Sequence, residues 1–353
     1  MGSERRPEVR RDVDAAVDHT RPSSSPLRFA RKHLKRLLLS DYLVLGLSVI
    51  LFATLAPLTP GLASWANLQT LFAYALPLLV ASVGLTLVLI IGGIDLSITS
   101  IIALASVVGG LIMSQDEGWL AGKALAVPVG IVAMLLVGAA VGALNGLTVT
   151  VCQIPAFIAT LTTMMFLSGL AIWATLSRKI GGLPPTFLML GQKLWLTAGI
   201  AAAAALIAHI TLSATIVGRW LYAIGHNERA ARVSGVPTAQ VTFAAYVFSG
   251  IFAGLSSIIF TATLETGNPE MARDSLLDVV GAVVIGGASL YGGKGRILGT
   301  VFGVVFLALV DNSLNLLGLK FYAVTMVKGS VILAAALADV LRNRLLAENR
   351  QTA

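Results

Sequence analysis

Charge is scarce in this chain. Asp, Glu, Lys and Arg make up 12% of its 353 residues, about half the share of an ordinary soluble domain. Cysteine occurs once, at Cys152, which excludes an internal disulfide and a cysteine-based metal cluster. The four histidines, His19, His33, His209 and His226, are scattered along the chain. Neither Gly-x-Ser-x-Gly nor His-Glu-x-x-His occurs, so the residues offer no hydrolase or zinc-protease constellation. Ala288 to Gly295 resembles a phosphate loop, but it lacks the first glycine and the closing Ser/Thr. It also joins two apolar runs, whereas a phosphate loop joins a strand to a helix. The chain is therefore expected to bind no ATP of its own, to need no cofactor or metal, and to catalyse no reaction.

What is abundant is apolar sequence: 56% hydrophobic residues and a mean hydropathy of +0.87. Runs of about 20 apolar residues suffice to cross a bilayer as helices. Only helices or closed barrels satisfy their backbone polar groups there. These runs are continuous, without the alternation of a barrel strand, so the sequence predicts an all-α, polytopic membrane protein. Ten spans are expected, at 41–57, 70–92, 97–114, 123–149, 156–176, 193–216, 240–262, 277–289, 297–317 and 322–341.

Residues 1–40 carry ten Lys/Arg against five Asp/Glu, with Pro22, Pro26 and Ser23 to Ser25 among them. That composition reads as a disordered basic tail. It has no apolar core of a signal peptide, and its charge fits a positive-inside signal better than a nucleic-acid surface. With the N-terminus inside, cytoplasmic segments hold eighteen Lys/Arg and external loops six, namely Lys123, Arg178, Lys179, Lys193, Arg273 and Lys320. The asymmetry predicts both termini inside, a transmembrane domain over 41–342, and a short cytoplasmic tail over 343–353.

Two spans look irregular. The eighth is about thirteen residues long, and only Gly92-Gly93-Ile94-Asp95 separates the second from the third. Ile91-Gly92-Gly93 and Ile285-Gly286-Gly287 each end one apolar run and precede another, a weak internal repeat. Interrupted segments at matching places in two halves point to a substrate site in transporters. Close helix packing explains paired glycines equally well.

Residues 218–236 form a charged, Ala-rich island between apolar runs. Arg229, Ala230, Ala231 and Arg232 favour a short helix that ends near Gly235, before Pro237. Such an island serves as a solvated connector or lies in the groove of a cytoplasmic partner.

At this point the motifs converge. Gly218-Arg219-x-x-Tyr222-Ala223-Ile224-Gly225-x-Asn227-x-x-Ala230-Ala231-Arg232-x-Ser234-Gly235 resembles the coupling loop of bacterial ATP-binding-cassette permeases of the ribose/xylose/arabinose type. Gly92 to Ser97, Ile154 to Leu161, Val284 to Gly295 and Asn312 to Gly318 resemble further motifs of that family, in its order. The likeness covers about residues 45–342. It implies a transport subunit of the bacterial inner membrane that pairs with a second permease copy. A cytoplasmic ATPase that binds the nucleotide and an extracytoplasmic sugar-binding protein complete the implied assembly. Gly218, Arg219, Ala223, Gly225, Asn227, Ala230, Ala231, Arg232 and Gly235 would engage the ATPase. The chain departs from the family at His226, where glycine is frequent, and at Thr162, Asp311 and Ser313. It also lacks a glutamine between 317 and 330. The particular sugar therefore lies beyond the resemblance.

Within the spans, Asp95, Ser97, Asn145, Thr160, Thr163, Asn312 and Asn315 are the candidate pathway residues. An intramembrane carboxylate marks a functional site by default, but Asp95 or Ser97 also suits the N-cap of the third span. The Asn and Thr side chains serve sugar hydroxyls or bridge helices. Asp311 and Lys328 lie at similar distances from the turn near Leu319, so neighbouring antiparallel spans would pair them. Lys328 alone would otherwise snorkel outward. Asp339 and Arg342 suit a surface pair. The rival reading is a ten-span secondary transporter of small metabolites, which would leave residues 218–236 without a role. An intramembrane enzyme would need a catalytic constellation that the sequence lacks.

Overall fold

Continuous apolar runs satisfy their backbone in lipid by coiling, and the computed structural model, which describes residues 42–351, is helical accordingly. The helices are α1 (Leu43–Leu55), α2 (Trp65–Ile90), α3 (Ile98–Met113), α4 (Ala126–Thr150), α5 (Ala156–Thr175), α6 (Pro185–Gln192) and α7 (Leu194–Ala214). They continue as α8 (Ile216–His226), α9 (Glu228–Val233), α10 (Thr238–Thr263), α11 (Leu276–Ile285), α12 (Ile297–Leu316) and α13 (Phe321–Gln351). Six of them, α2, α4, α5, α7, α10 and α12, are long and apolar enough to cross a membrane. A helix occupies each of the ten segments expected to span. The basic tail and its histidines lie outside the described residues, as do the Asp339 and Arg342 side chains.

Residues from Val44 onward form one compact unit. Its centre is α2, 83% of whose apolar stretch is buried, with α10 next at 67%; only 22% of α5 is covered, which marks an outer, lipid-suited helix. Small residues set the crossing of α10 on α4. A Cβ on Gly138 would collide with the Gly250 carbonyl, one on Gly250 with the Gly138 carbonyl, and one on Gly142 with the Tyr246 carbonyl. Close backbone approach of this kind is the main packing device where lipid tails are as apolar as leucine.

The eighth expected span is a half-span. Helix α11 has ten residues, about 15 Å at 1.5 Å per residue, half the hydrocarbon thickness. It stops at Gly286 and Gly287, the latter at φ +91°, and a glycine-rich turn leads into α12. On the other repeat, Gly92 at φ +78° ends α2 and the chain re-enters as α3. The two interruptions meet, because the Gly293 amide donates to the Ile90 carbonyl at 2.8 Å.

Candidate functional site

The polar island folds as two helices where one short helix was expected. Thr215 caps α8, its hydroxyl accepting the Gly218 amide at 3.3 Å. Gly218 is required at this corner because a Cβ would strike the Leu212 carbonyl. Asn227 breaks the helix at φ −164° and caps α9, its Oδ1 accepting the Ala230 amide at 3.0 Å. Gly235 at φ +83° ends the unit, ahead of Pro237. Leu221, Ile224 and Ala231 are buried, while Arg219, Arg229, Ala230 and Arg232 are exposed. Arg232 pairs with Glu228 at 2.7 Å on the surface, a contact of little energetic weight. Val233 is 90% exposed at the tip, an apolar knob with no cover.

The inner side of α8 lies against both helix interruptions. A Cβ on Gly225 would collide with the Ile90 carbonyl and with the Gly293 amide. One turn earlier, the Tyr222 hydroxyl donates to the Gly295 carbonyl at 2.7 Å. Burial pushes this phenol above its ordinary range, so it stays a donor at physiological pH. His226 folds its ring back, Nδ1 lying 2.7 Å from the Tyr222 carbonyl and the ring beside Gly293. Half-buried Ala223 completes the inner face.

Beyond Ile90 the α2–α3 turn is held by a buried polar centre. Asp95 is fully buried. Its Oδ1 accepts the Ser97 amide at 3.1 Å and the Ser97 hydroxyl at 2.6 Å, and its Oδ2 accepts the Ser249 hydroxyl at 2.9 Å. Asn145 Nδ2 donates to Ser97 Oγ at 2.8 Å, and the Thr160 hydroxyl to the Ile94 carbonyl at 3.1 Å. The expected cap on α3 takes a different form. Ser97 occupies the cap position without a side-chain cap bond, and Asp95 closes a tight turn onto the amide two residues on. Four candidate residues, Asp95, Ser97, Asn145 and Thr160, therefore join α3, α4, α5 and α10 around one interruption. Ser249 belongs to the same centre and was not foreseen. A serine in an apolar helix ordinarily bonds its own preceding turn, so nothing in the sequence set it apart.

The remaining candidates lie elsewhere. Thr163 is half-buried on α5. Asn312 exchanges two hydrogen bonds with Asn67 of α2, at 2.8 and 3.0 Å. Exposed Asn315 donates to the Asp311 carboxylate at 3.0 Å. The Asp311–Lys328 pair forms at 3.0 Å, and Lys328 also reaches Asp278 at 3.0 Å. Asp278 was missed because an acidic residue in a first helical turn reads as a companion of the helix dipole.

Broken apolar helices around a buried polar centre, with an exposed, charged helix pair seated on the breaks, are the build of a multi-pass membrane permease. The family described as the branched-chain amino acid transport system / permease component matches residues 67–336, and the chain belongs to it. The "Ribose import permease protein RbsC" of Escherichia coli K12 is 34% identical over 311 residues, covering 82% of this chain and 91% of that protein. Its namesake in Bacillus subtilis 168 is 37% identical over 263 residues, 72% of this chain and 79% of the relative. The "L-arabinose transport system permease protein AraH" of E. coli K12 is 34% identical over 305 residues, 85% and 90% respectively. No solved structure gives a significant match.

Proposed function

We propose that this chain is the membrane subunit of an ATP-binding-cassette importer that carries a monosaccharide across a bacterial cytoplasmic membrane. The names and extents of its relatives support the substrate class. In this reading the permease domain is 41–342, it crosses ten times with both termini inside, and it works with a second copy. ATP is bound and hydrolysed by a partner ATPase seated on α8 and α9, with the Val233 knob in its groove and Arg219, Arg229 and Arg232 around it. A periplasmic binding protein delivers the sugar from the other side. The chain itself makes and breaks no covalent bond.

The observation that carries the reading is the seat of α8. Through Gly225, Tyr222 and His226 it touches both helix interruptions at once. A tilt of this elbow therefore moves two broken helices together, which is the differential contact that a two-state transporter needs. We assign Asp95, Ser97, Asn145 and Thr160 to holding the moving turn, and Thr163, Asn312 and Asn315 to the solute. Reconstitution in liposomes tests the reading. Sugar uptake is expected only with ATPase, binding protein and ATP present. Gradient-driven uptake by the chain alone would establish a secondary carrier in its place.

A further inference from the structure

At the end of the molecule away from the α8 elbow, four helices bring ionisable groups together. Tyr74 lies in the first half of α2, Asp278 in the first turn of α11, Asp311 in the last two turns of α12 and Lys328 in the first half of α13. Lys328 Nζ sits 3.0 Å from Asp278 Oδ2 and 3.0 Å from Asp311 Oδ1. The Tyr74 hydroxyl donates to Asp278 Oδ2 at 3.4 Å. With both carboxylates ionised, two negative charges face one ammonium, and the group carries one negative charge in excess. In a membrane interior such a charge is expensive unless something compensates it.

The uncompensated oxygen can be named. Asp278 is 95% buried, at 5% exposure, yet its Oδ1 has no hydrogen-bond partner. Tyr74, Leu78, Asp278, Ala282, Val304 and Asp311 are among the residues lining a cavity at this point, of about 10 Å³. That is room for a single water-sized group. Buried carboxylate oxygens are normally satisfied, and this one is left without a donor on a residue that lines the cavity. A neutral hydroxyl would satisfy the oxygen and leave the charge; a cation satisfies both.

We infer that Tyr74, Asp278, Asp311 and Lys328 form a binding site for one small monovalent cation, present as a free ion or as the ammonium group of an aminated solute. Asp278 Oδ1 and the Asp311 carboxylate supply the negative ligands, and Lys328 holds them in place. The partly exposed side chain of Asp311, at 21%, leaves a way in. The inference goes beyond sugar transport and does not rest on ATPase coupling.

The test uses the purified full-length chain in detergent, with no ATPase present, so its outcome is separate from that of the transport reading. The thermal midpoint is followed while sodium or potassium chloride replaces choline chloride at constant ionic strength. A parallel series compares D-glucosamine hydrochloride with D-glucose. A saturable rise with an alkali cation or with glucosamine, absent with choline and glucose, is expected, and which of the two acts identifies the source. Asp311→Asn leaves a neutral Lys328–Asp278 pair that folds, and should weaken the effect at least about tenfold, the loss of one close charge interaction. Lys328→Met leaves two bare carboxylates, so its folded yield should come to depend on the added cation. A midpoint indifferent to every cation overturns the proposal, as does equal response to glucose or an unchanged response in Asp311→Asn.

Discussion

A carboxylate buried among apolar helices needs donors, and Asp95 has three. The amide and hydroxyl of Ser97 and the hydroxyl of Ser249 all point at it. Removing the acceptor strands these donors, at roughly 1–3 kcal/mol for each left unpaired. Asp95→Ala is therefore expected to lower stability by on the order of 3 kcal/mol or more. The lowered thermal midpoint should appear in the isolated chain, before any transport is assayed. An unchanged midpoint would show that the three bonds do not hold the turn. Asp95 was legible in the sequence because a lone carboxylate in apolar surroundings stands out. Its partner Ser249 was not, since its significance depends on a helix 154 positions away in the chain.

Among the elements, the short helix α11 depends on its neighbours. Ten residues give it little stability of its own, and Lys328 of α13 ties it to α12 through two carboxylates. This arrangement changes what a charge exchange does. Asp311→Lys combined with Lys328→Asp would restore a simple pair, but here the exchange brings a carboxylate on α13 against Asp278, a like-charge contact. The double exchange is expected to leave folded yield on gel filtration well below that of the wild type. Adding Asp278→Lys, which inverts the whole cluster, should recover much of it. Full recovery by the double exchange alone would mean that Asp278 is no part of the tie. The sequence pointed to the Asp311–Lys328 pair through equal distances from one turn. It could not give Asp278, because α11 and α13 meet only in the folded chain. The α8 helix was hidden for a related reason: its buried side, Leu221 and Ile224, is too narrow to stand out beside the long apolar runs.

For the whole molecule, the ten apolar segments were plain from composition and each holds a helix. Their orientation rests on the uneven placement of Lys and Arg, and Cys152 offers a direct check. It is the only cysteine in the chain, and its thiol is exposed between α4 and α5. With the N-terminus inside, four crossings return the chain to the cytoplasm at this point. A membrane-impermeant maleimide should label Cys152 in inside-out vesicles and leave it untouched in intact spheroplasts. Labelling from the outside would reverse the topology and move α8 and α9 away from any cytoplasmic ATPase.

Gly225 is where an ATPase-driven movement would enter the membrane helices, because nothing larger fits between α8, the Ile90 carbonyl and the Gly293 amide. The most direct measurement is ATP-driven sugar uptake by proteoliposomes holding the assembled complex with Gly225→Ala. The exposed surface of α8 and α9 is unaltered by the added methyl group, so the ATPase should still bind and hydrolyse ATP while uptake falls by at least about tenfold, the equivalent of 1.4 kcal/mol in coupling. Uptake at the wild-type rate, with the variant folded and its ATPase attached, would contradict transmission through this contact.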